Sequence, residues 1–155
     1  MLTPDGIVST FAGTGVAGGA DGAGSVATFN APIGIAVDPD GNLIVADTGG
    51  HTIRRITTAG VVSTIGGAYS ASAATDGAGT AARFKSPQFL TFDQNGVLYI
   101  SDRGNFTVRK GVPTIATNLT QSTLGAPVDG TSATIGIGSL SSAGVLVYSG
   151  TGETT

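Results

Sequence analysis

The chain has 155 residues, of which 40% are hydrophobic and 11% are charged, with a mean hydropathy of +0.28 and a formal net charge of −3. This composition excludes a disordered chain, and the lack of cysteine excludes a disulfide framework and thiolate metal sites. The 26 glycines and the many Ser and Thr residues favour tightly turned β structure over helix.

Strands and turns alternate along the chain. In chain order, the pattern predicts an outer strand at 7–12, then strands at 33–37, 42–47, 52–57 and 61–66, a second set from 88 to about 117, and two strands at 135–138 and 145–149. Four antiparallel strands followed by a long loop are the plan of one blade of a β-propeller. The predicted fold class is therefore all-β, with about three blades.

The blade pattern is an internal repeat. Residues 6–13 (GIVSTFAG) recur as 60–67 (GVVSTIGG), and from residues 21–24 (DGAG) onward the offset is 55 residues. Long-period repeats of short strands form units that bury their faces by stacking on neighbours. We predict one domain over residues 1–155, with repeats at about 6–59, 60–112 and, in divergent form, 113–155.

Repeated Asp and Gly residues mark the turns. Gly in a hairpin turn supplies the positive φ that other residues resist, and an Asp after a strand can accept N–H bonds from the turn that follows. The residues assigned to structural turns are Asp38, Gly41, Asp47, Asp93, Gly96 and Asp102. For Asp47 and Asp102 the alternative is a ring of metal ligands around a channel.

Residues 32–47 follow the pattern Pro-x-Gly-Ile-Ala-Val-Asp-x-x-Gly-Asn-Leu-x-Val-Ala-Asp, which resembles the NHL repeat. The resemblance extends over residues 6–112 and implies a β-propeller, commonly of six blades. The segment Gly-x-Val-Ser-Thr-x-Ala-Gly with its Asp-Gly-x-Gly loop is similar to secreted bacterial members. Gly50 stands where the family usually has asparagine, so the first such turn is expected to be looser than the second, which keeps Asn105.

Three blades do not close a six-bladed ring and leave strand edges unpaired. We therefore expect a non-catalytic structural or interaction module that binds copies of itself, as a closed homo-oligomer or a filament. One alternative is a ligand- or protein-binding propeller formed as a dimer. Another is a fragment of a propeller enzyme of the lyase or lactonase type.

The residues assigned to a binding face are His51, Arg54, Arg103 and Arg109. A single histidine cannot supply the zinc ligands that lyases of this fold use, and the inner-strand positions carry no carboxylate, so no cofactor, metal or catalytic residue is predicted. All seven basic residues lie between Arg54 and Lys110, but the net charge of −3 argues against nucleic acid. Arg and Lys on outer strands are expected to be solvated.

Asn105 and Asn118 each begin an Asn-x-Thr pattern, which predicts possible attachment of N-linked glycan. Residues 1–5 lack the features of a signal peptide, and no apolar stretch is long enough to span a membrane. The location expected from the family resemblance is extracellular or at the cell surface, with the cytoplasm as the alternative.

Overall fold

The computed structural model describes residues 6–111, which lie within one compact unit running from Met1 to Pro113. The prediction of an all-β fold is confirmed. The strands are β1 (Gly22–Ala23), β2 (Pro32–Val37), β3 (Leu43–Asp47), β4 (Thr52–Ile56), β5 (Val61–Gly67), β6 (Pro87–Phe92), β7 (Leu98–Asp102) and β8 (Thr107–Gly111). Single 3-10 turns lie at Gly79–Ala81 and Arg103–Asn105. No helix within the described range is long and apolar enough to cross a membrane.

The strands form two antiparallel sheets. The first sheet has the order β1-β5-β4-β3-β2, and its strands β2 to β5 are called blade 1. The second has the order β6-β7-β8 and is called blade 2. The predicted strands of blade 1 agree with the observed ones to within one residue at each end. The last strand predicted for blade 2, the strands at 135–138 and 145–149, and the whole third repeat lie outside the described residues.

Of the strand predicted at residues 7–12, Val8 takes part in a β-bridge, and the pairing of the segment as a whole stays a prediction. Their repeat counterpart forms β5, which pairs along its length with β4. The outer edge of β5 is covered by β1, with Gly22 opposite Val62.

Each blade has two faces, because side chains alternate along a strand. The leading face points back along the chain and the trailing face points toward the next repeat. The leading face of blade 1 packs on the loop before it, in a cluster of Ala27, Val45, Ile56 and Val62, with Ala12, Phe29 and Leu43 at its margin. The trailing face of blade 1 packs on blade 2, in a cluster of Ile44, Ile53, Ala82, Phe84, Leu98 and Ile100, with Leu90 and Phe92 at its margin. The core between the blades is therefore made by two successive repeats.

Matched hairpin turns close both blades at one end. Asp38 Oδ1 accepts the backbone N–H groups of Asp40 at 3.0 Å and Asn42 at 2.8 Å, and Gly41 has φ +83°. In blade 2, Asp93 Oδ1 likewise accepts the N–H groups of residues 95 and 97 at 2.8 and 2.9 Å, and glycine 96 has φ +75°. The Asp side chain and the positive φ of Gly together fix the hairpin, which sets the register of the two inner strands.

Candidate functional site

Arg54 on β4 organises the leading face of blade 1. Its guanidinium bonds to Asp21 at 2.6 Å and to Asp47 at 3.3 Å, and it lies 5.0 Å from the ring centre of Phe29. It also donates to the carbonyl oxygens of Thr28 at 3.0 Å and residue 20 at 2.8 Å. We call Asp21, Phe29, Asp47 and Arg54 the first arginine cluster. It ties the long loop before blade 1 to the sheet.

The same cluster recurs in blade 2 at the repeat offset. Arg109 bonds to Asp76 at 2.5 Å and to Asp102 at 3.2 Å, and it lies 5.2 Å from the ring centre of Phe84. It also donates to the carbonyl oxygens of residues 75 and 83. We call Asp76, Phe84, Asp102 and Arg109 the second arginine cluster. The two clusters show that Arg at this position belongs to the blade architecture.

The assignment of Arg54 to a binding face is therefore wrong, and so is the expectation that it is solvated. Arg54 is fully buried, because it lies on the leading face under the loop that precedes the blade. The Arg109 side chain is 13% exposed and is held in the same way. Arg103 is exposed in its turn and His51 is partly buried, so only these two of the four residues lie where a ligand could reach them.

The role expected for Asp47 and Asp102 is also corrected. Both are fully buried, and their Oδ1 atoms accept the N–H groups of Asn30 at 2.6 Å and Lys85 at 2.7 Å. These residues precede the innermost strand, whereas the expected donors belonged to the turn that follows β3 or β7. Each carboxylate thus joins a blade to the loop that enters it. Within residues 6–111 no group of three or more His, Cys or acidic residues is placed to hold a metal ion.

Burial and hydrogen bonds act in opposite directions on the carboxyl groups. Burial raises the pKa of Asp47, and the Asn30 N–H and the Arg54 guanidinium offset this only in part. Partial burial also acts to raise the pKa of Asp21, but the Thr64 N–H and Arg54 outweigh it, so that its pKa lies below the usual value. At the exposed hairpin, the N–H of residue 97 lowers the pKa of Asp93.

The turn at Gly50 is packed, although a loose turn was expected. In blade 2 the Asn105 amide donates to Ala73 O at 2.8 Å and to Asp102 Oδ2 at 2.7 Å. Blade 1 lacks this side chain, and the ring of Tyr69 lies against Gly50 in its place. A Cβ at Gly50 would lie 3.2 Å from the Tyr69 ring and 2.6 Å from Asp47 Oδ2. The sequence signal for this replacement is the combination of a glycine at the Asn position with a tyrosine beyond β5.

The predicted glycan at Asn105 is not supported. The nitrogen that would carry the sugar donates its two hydrogens inside the protein, to Ala73 and Asp102. Attachment would replace one of these two hydrogens and so break at least one of the two bonds. Asn118 lies outside the described residues.

The junction between the blades is held by polar bonds at one end. The Ser86 N–H donates to His51 Nδ1 at 3.1 Å, and Thr48 Oγ1 donates to the carbonyl of Pro87 at 2.5 Å. Gly34 on the innermost strand of blade 1 lies directly against the backbone of Gln88, where any Cβ would overlap the carbonyl oxygen. His51 thus serves the contact between blades, and the glycine permits the innermost strands to approach closely.

Part of the outward face of each blade is uncovered among the described residues. Val108 on the trailing face of blade 2 is 76% exposed, whereas its repeat counterpart Ile53 is 1% exposed under blade 2. On the leading face of blade 1, Ile35 is 61% and Val37 is 60% exposed. Their counterparts in blade 2, residues 90 and 92, are partly buried against blade 1. These two apolar faces are the candidate interaction site.

Comparison with known proteins agrees with this geometry. The model of the NHL repeat matches residues 29–56, which run from the loop before blade 1 through β4. The chain is an NHL-repeat protein. Its two sheets are blades of a partial β-propeller, as the repeat predicts. A search of curated proteins found no match.

Solved structures from Bacteroides resemble this NHL-repeat chain. A protein of unknown function from Bacteroides thetaiotaomicron has a TM-score of 0.65 and 31% identity, over 70% of this chain and 28% of its own. An auxiliary nutrient binding protein from the same organism has a TM-score of 0.55 and 28% identity, over 62% of this chain and 26% of its own. An auxiliary nutrient binding protein from Bacteroides ovatus has a TM-score of 0.55 and 26% identity, over 61% of this chain and 26% of its own.

These comparisons support a binding module. Two of the three structures carry names that describe nutrient binding. A fourth structure, provisionally named a phosphatase, is 23% identical and bears on the fold alone. The chain spans between 26% and 28% of the length of the first three structures, so the role of a whole propeller is a matter for proposal.

Proposed function

We propose that this chain is a non-catalytic interaction module that assembles through the uncovered faces of its NHL blades. The observation that carries the proposal is the contrast between Ile53 and Val108. The two residues occupy the same position in successive repeats, and one is 1% exposed while the other is 76% exposed. Because blade 2 stacks on blade 1, the position of Ile53 is part of the core. The matching position of Val108 is therefore a surface suited to the stacking of another blade.

The leading face of blade 1 supports the same proposal from the other end. Ile35 and Val37 stand on β2 where Leu90 and Phe92 stand on β6. In blade 2 these positions pack against the preceding blade, and in blade 1 they are exposed. Burying an apolar side chain of this size stabilises a contact by about 1.5–3 kcal/mol. Two faces with such residues give the module two contact surfaces.

The proposal includes an extracellular or cell-surface location. It rests on the similarity of residues 6–13 and 21–24 to segments of secreted bacterial NHL proteins.

A ligand-binding propeller is the second candidate, and the two nutrient-binding structures favour it. In that case Arg103, which is exposed in its turn, and His51 at the end of the blade junction would face the ligand. The experiment that separates the two is a thermal-shift screen of the chain against sugars and peptides, with Arg103→Ala as the variant. A shift that the variant abolishes would favour the ligand-binding role.

The faces themselves can be tested because the chain has no cysteine. Val108→Cys and Ile35→Cys each place one thiol on a face, and Ile53→Cys is the matched buried control. In dilute folded chain, we expect a maleimide to label positions 108 and 35 at nearly the rate seen in the unfolded chain, and position 53 far more slowly. Slow labelling at 108 and 35 would show that the faces are covered within one copy and would reject the proposal.

A further inference from the structure

Asn95, in the hairpin of blade 2, differs from the other asparagines in its neighbour and in its bonding. It is the only one of the five asparagines that is followed by glycine. The side-chain amides of the other described asparagines all donate hydrogen bonds inside the protein: Asn30, Asn42 and Asn105. Asn95 is exposed, and its side-chain amide makes no hydrogen bond within the described residues. Its carboxamide is therefore free to turn toward the backbone.

An asparagine followed by glycine loses its side-chain amide without an enzyme. The backbone nitrogen of Gly96 gives its proton to a base in the water and attacks Cγ of Asn95. A C–N bond forms, the Cγ–Nδ2 bond breaks, and ammonia leaves, so that the product is a five-membered succinimide ring. Glycine favours this step because it has no Cβ to hinder the approach. Water then opens the ring on one side to give aspartate, or on the other to give isoaspartate.

The folded hairpin withholds the attacking nitrogen. The Gly96 N–H donates to the carbonyl oxygen of Asp93 at 3.1 Å, and Gly96 is buried. The hairpin of blade 1 lies beside it, since a Cβ at this position would be 3.2 Å from Pro39 Cγ. A buried, hydrogen-bonded N–H gives up its proton only when its segment opens. The reaction begins with the loss of this proton, so it must wait for the hairpin to open.

The aspartate product suits this turn, because blade 1 already has an aspartate there. Asp40 occupies the matched position, in a hairpin with the same bonds from its backbone. Its carboxylate lies 3.9 Å from the guanidinium of Arg55, and Lys110 is the counterpart of that arginine in blade 2. A carboxylate at position 95 therefore meets the same kind of surroundings as in blade 1.

The isoaspartate product does not suit the turn. It adds one atom to the backbone between the N–H groups of residues 95 and 97. Asp93 Oδ1 accepts both of these groups, at 2.8 and 2.9 Å, and this pair of bonds fixes the hairpin. Because the extra atom moves one N–H relative to the other, a single oxygen no longer reaches both.

We propose that Asn95 is a site of spontaneous deamidation and that opening of the blade 2 hairpin controls its rate. The aspartate product keeps the hairpin, whereas the isoaspartate product loosens it and releases its neighbour Pro39 in blade 1. The site thus records how often the hairpin opens, whether or not the outward faces of the blades bind a partner.

The first test follows deamidation of the full chain in warm, mildly alkaline buffer, with and without unfolding concentrations of urea. Peptide mass mapping locates each event. Asn95 should react before the other four asparagines, and at least about tenfold more slowly in the folded chain than in urea. Equal rates in the two conditions would overturn control by the hairpin. Earlier reaction of any other asparagine in the folded chain would overturn the assignment of the site.

Variants of the hairpin test the control directly. Asp93→Ala removes the acceptor of two N–H groups and should raise the rate in the folded chain by at least about tenfold. Thr91→Ala, at an exposed position of β6, is the matched control and should leave the rate unchanged. Asp93→Asn keeps an oxygen acceptor and should give an intermediate rate, which decides the question if Asp93→Ala does not fold. If every folded variant reacts at the rate of the natural chain, the proposal fails.

The two products are tested by their melting temperatures. Asn95→Asp should melt at the temperature of the natural chain. The isoaspartate form, separated by chromatography and identified with an isoaspartyl methyltransferase, should melt at a lower temperature. If Asn95→Asp melts lower, the equivalence with Asp40 is wrong. If the isoaspartate form melts with the natural chain, the hairpin tolerates the extra backbone atom and the proposed loosening is wrong.

Discussion

Blade 1 and blade 2 are built from the same pattern, but their trailing faces have different surroundings among the described residues. Blade 1 buries Ile53 against blade 2, whereas blade 2 leaves Val108 exposed to solvent. Their leading faces carry the same arginine cluster, with Arg54 fully buried and the side chain of Arg109 13% exposed. The comparison teaches that a repeat specifies the shape of each blade, whereas the neighbour of each blade decides which residues become core.

The largest effect expected from this comparison is at the arginine clusters. Arg54→Met should destabilise the chain by about 3–5 kcal/mol, because it leaves the buried Asp47 without its cation. Arg109→Met should cost less, because Asn105 still donates to Asp102 Oδ2 at 2.7 Å and blade 1 has no equivalent asparagine. Urea unfolding of both variants measures the difference. If the two variants lost equal free energy of unfolding, or Arg109→Met lost more, the expected difference between the two arginine clusters would be contradicted.

The next largest expected effect is a difference in the loss of stability between substitutions on the two trailing faces. Ile53→Ala should lower the free energy of unfolding by about 2–5 kcal/mol, since it opens a cavity between the blades. Val108→Ala should change it by no more than about 0.5 kcal/mol in dilute protein, as at other exposed positions. Thermal and urea unfolding of the pair provide the measurement. A large loss at Val108 would mean that its face is buried in the isolated chain.

A smaller effect is expected at the matched hairpins. Gly41→Val and Gly96→Val both force a β-branched residue to a positive φ, at a cost of about 1–3 kcal/mol. Gly96→Val should be the more harmful, because a Cβ there meets Pro39 at 3.2 Å, whereas at Gly41 the nearest atom is a methyl group of Thr58 at 3.9 Å. Melting temperatures of the two variants rank them. An unchanged melting temperature in either would contradict the hairpin.

The smallest expected effect is the pH dependence of the stability that Asp21 contributes. Because its pKa is lowered in the folded chain, it contributes stability that is fully present above its ordinary value of 3.8 and is lost as the pH falls through the lower folded value. The difference in melting temperature between the natural chain and Asp21→Asn should therefore be constant from neutral pH to about pH 5 and shrink below pH 4. The Asp side chain is 47% exposed, so the difference should be small. If the difference in melting temperature grew on acidification, the pKa of Asp21 would be raised rather than lowered in the folded chain.

The sequence by itself determined the repeat, the strands of blade 1 to within a residue, and the positions of the hairpin turns. These features depend on local properties: the alternation of apolar residues along a strand, and the positive φ that Gly41 and Gly96 tolerate. The NHL resemblance was also readable, because residues 32–47 carry the pattern without a gap.

Only the tertiary structure decided which members of the pattern are buried and what each one contacts. Arg54 was expected at the surface and is buried, since the loop that covers it lies more than twenty residues earlier in the chain. Tyr69 fills the place left by an absent asparagine at Gly50, a replacement between residues far apart in sequence. Burial and pairing depend on distant neighbours, and the local pattern does not contain them.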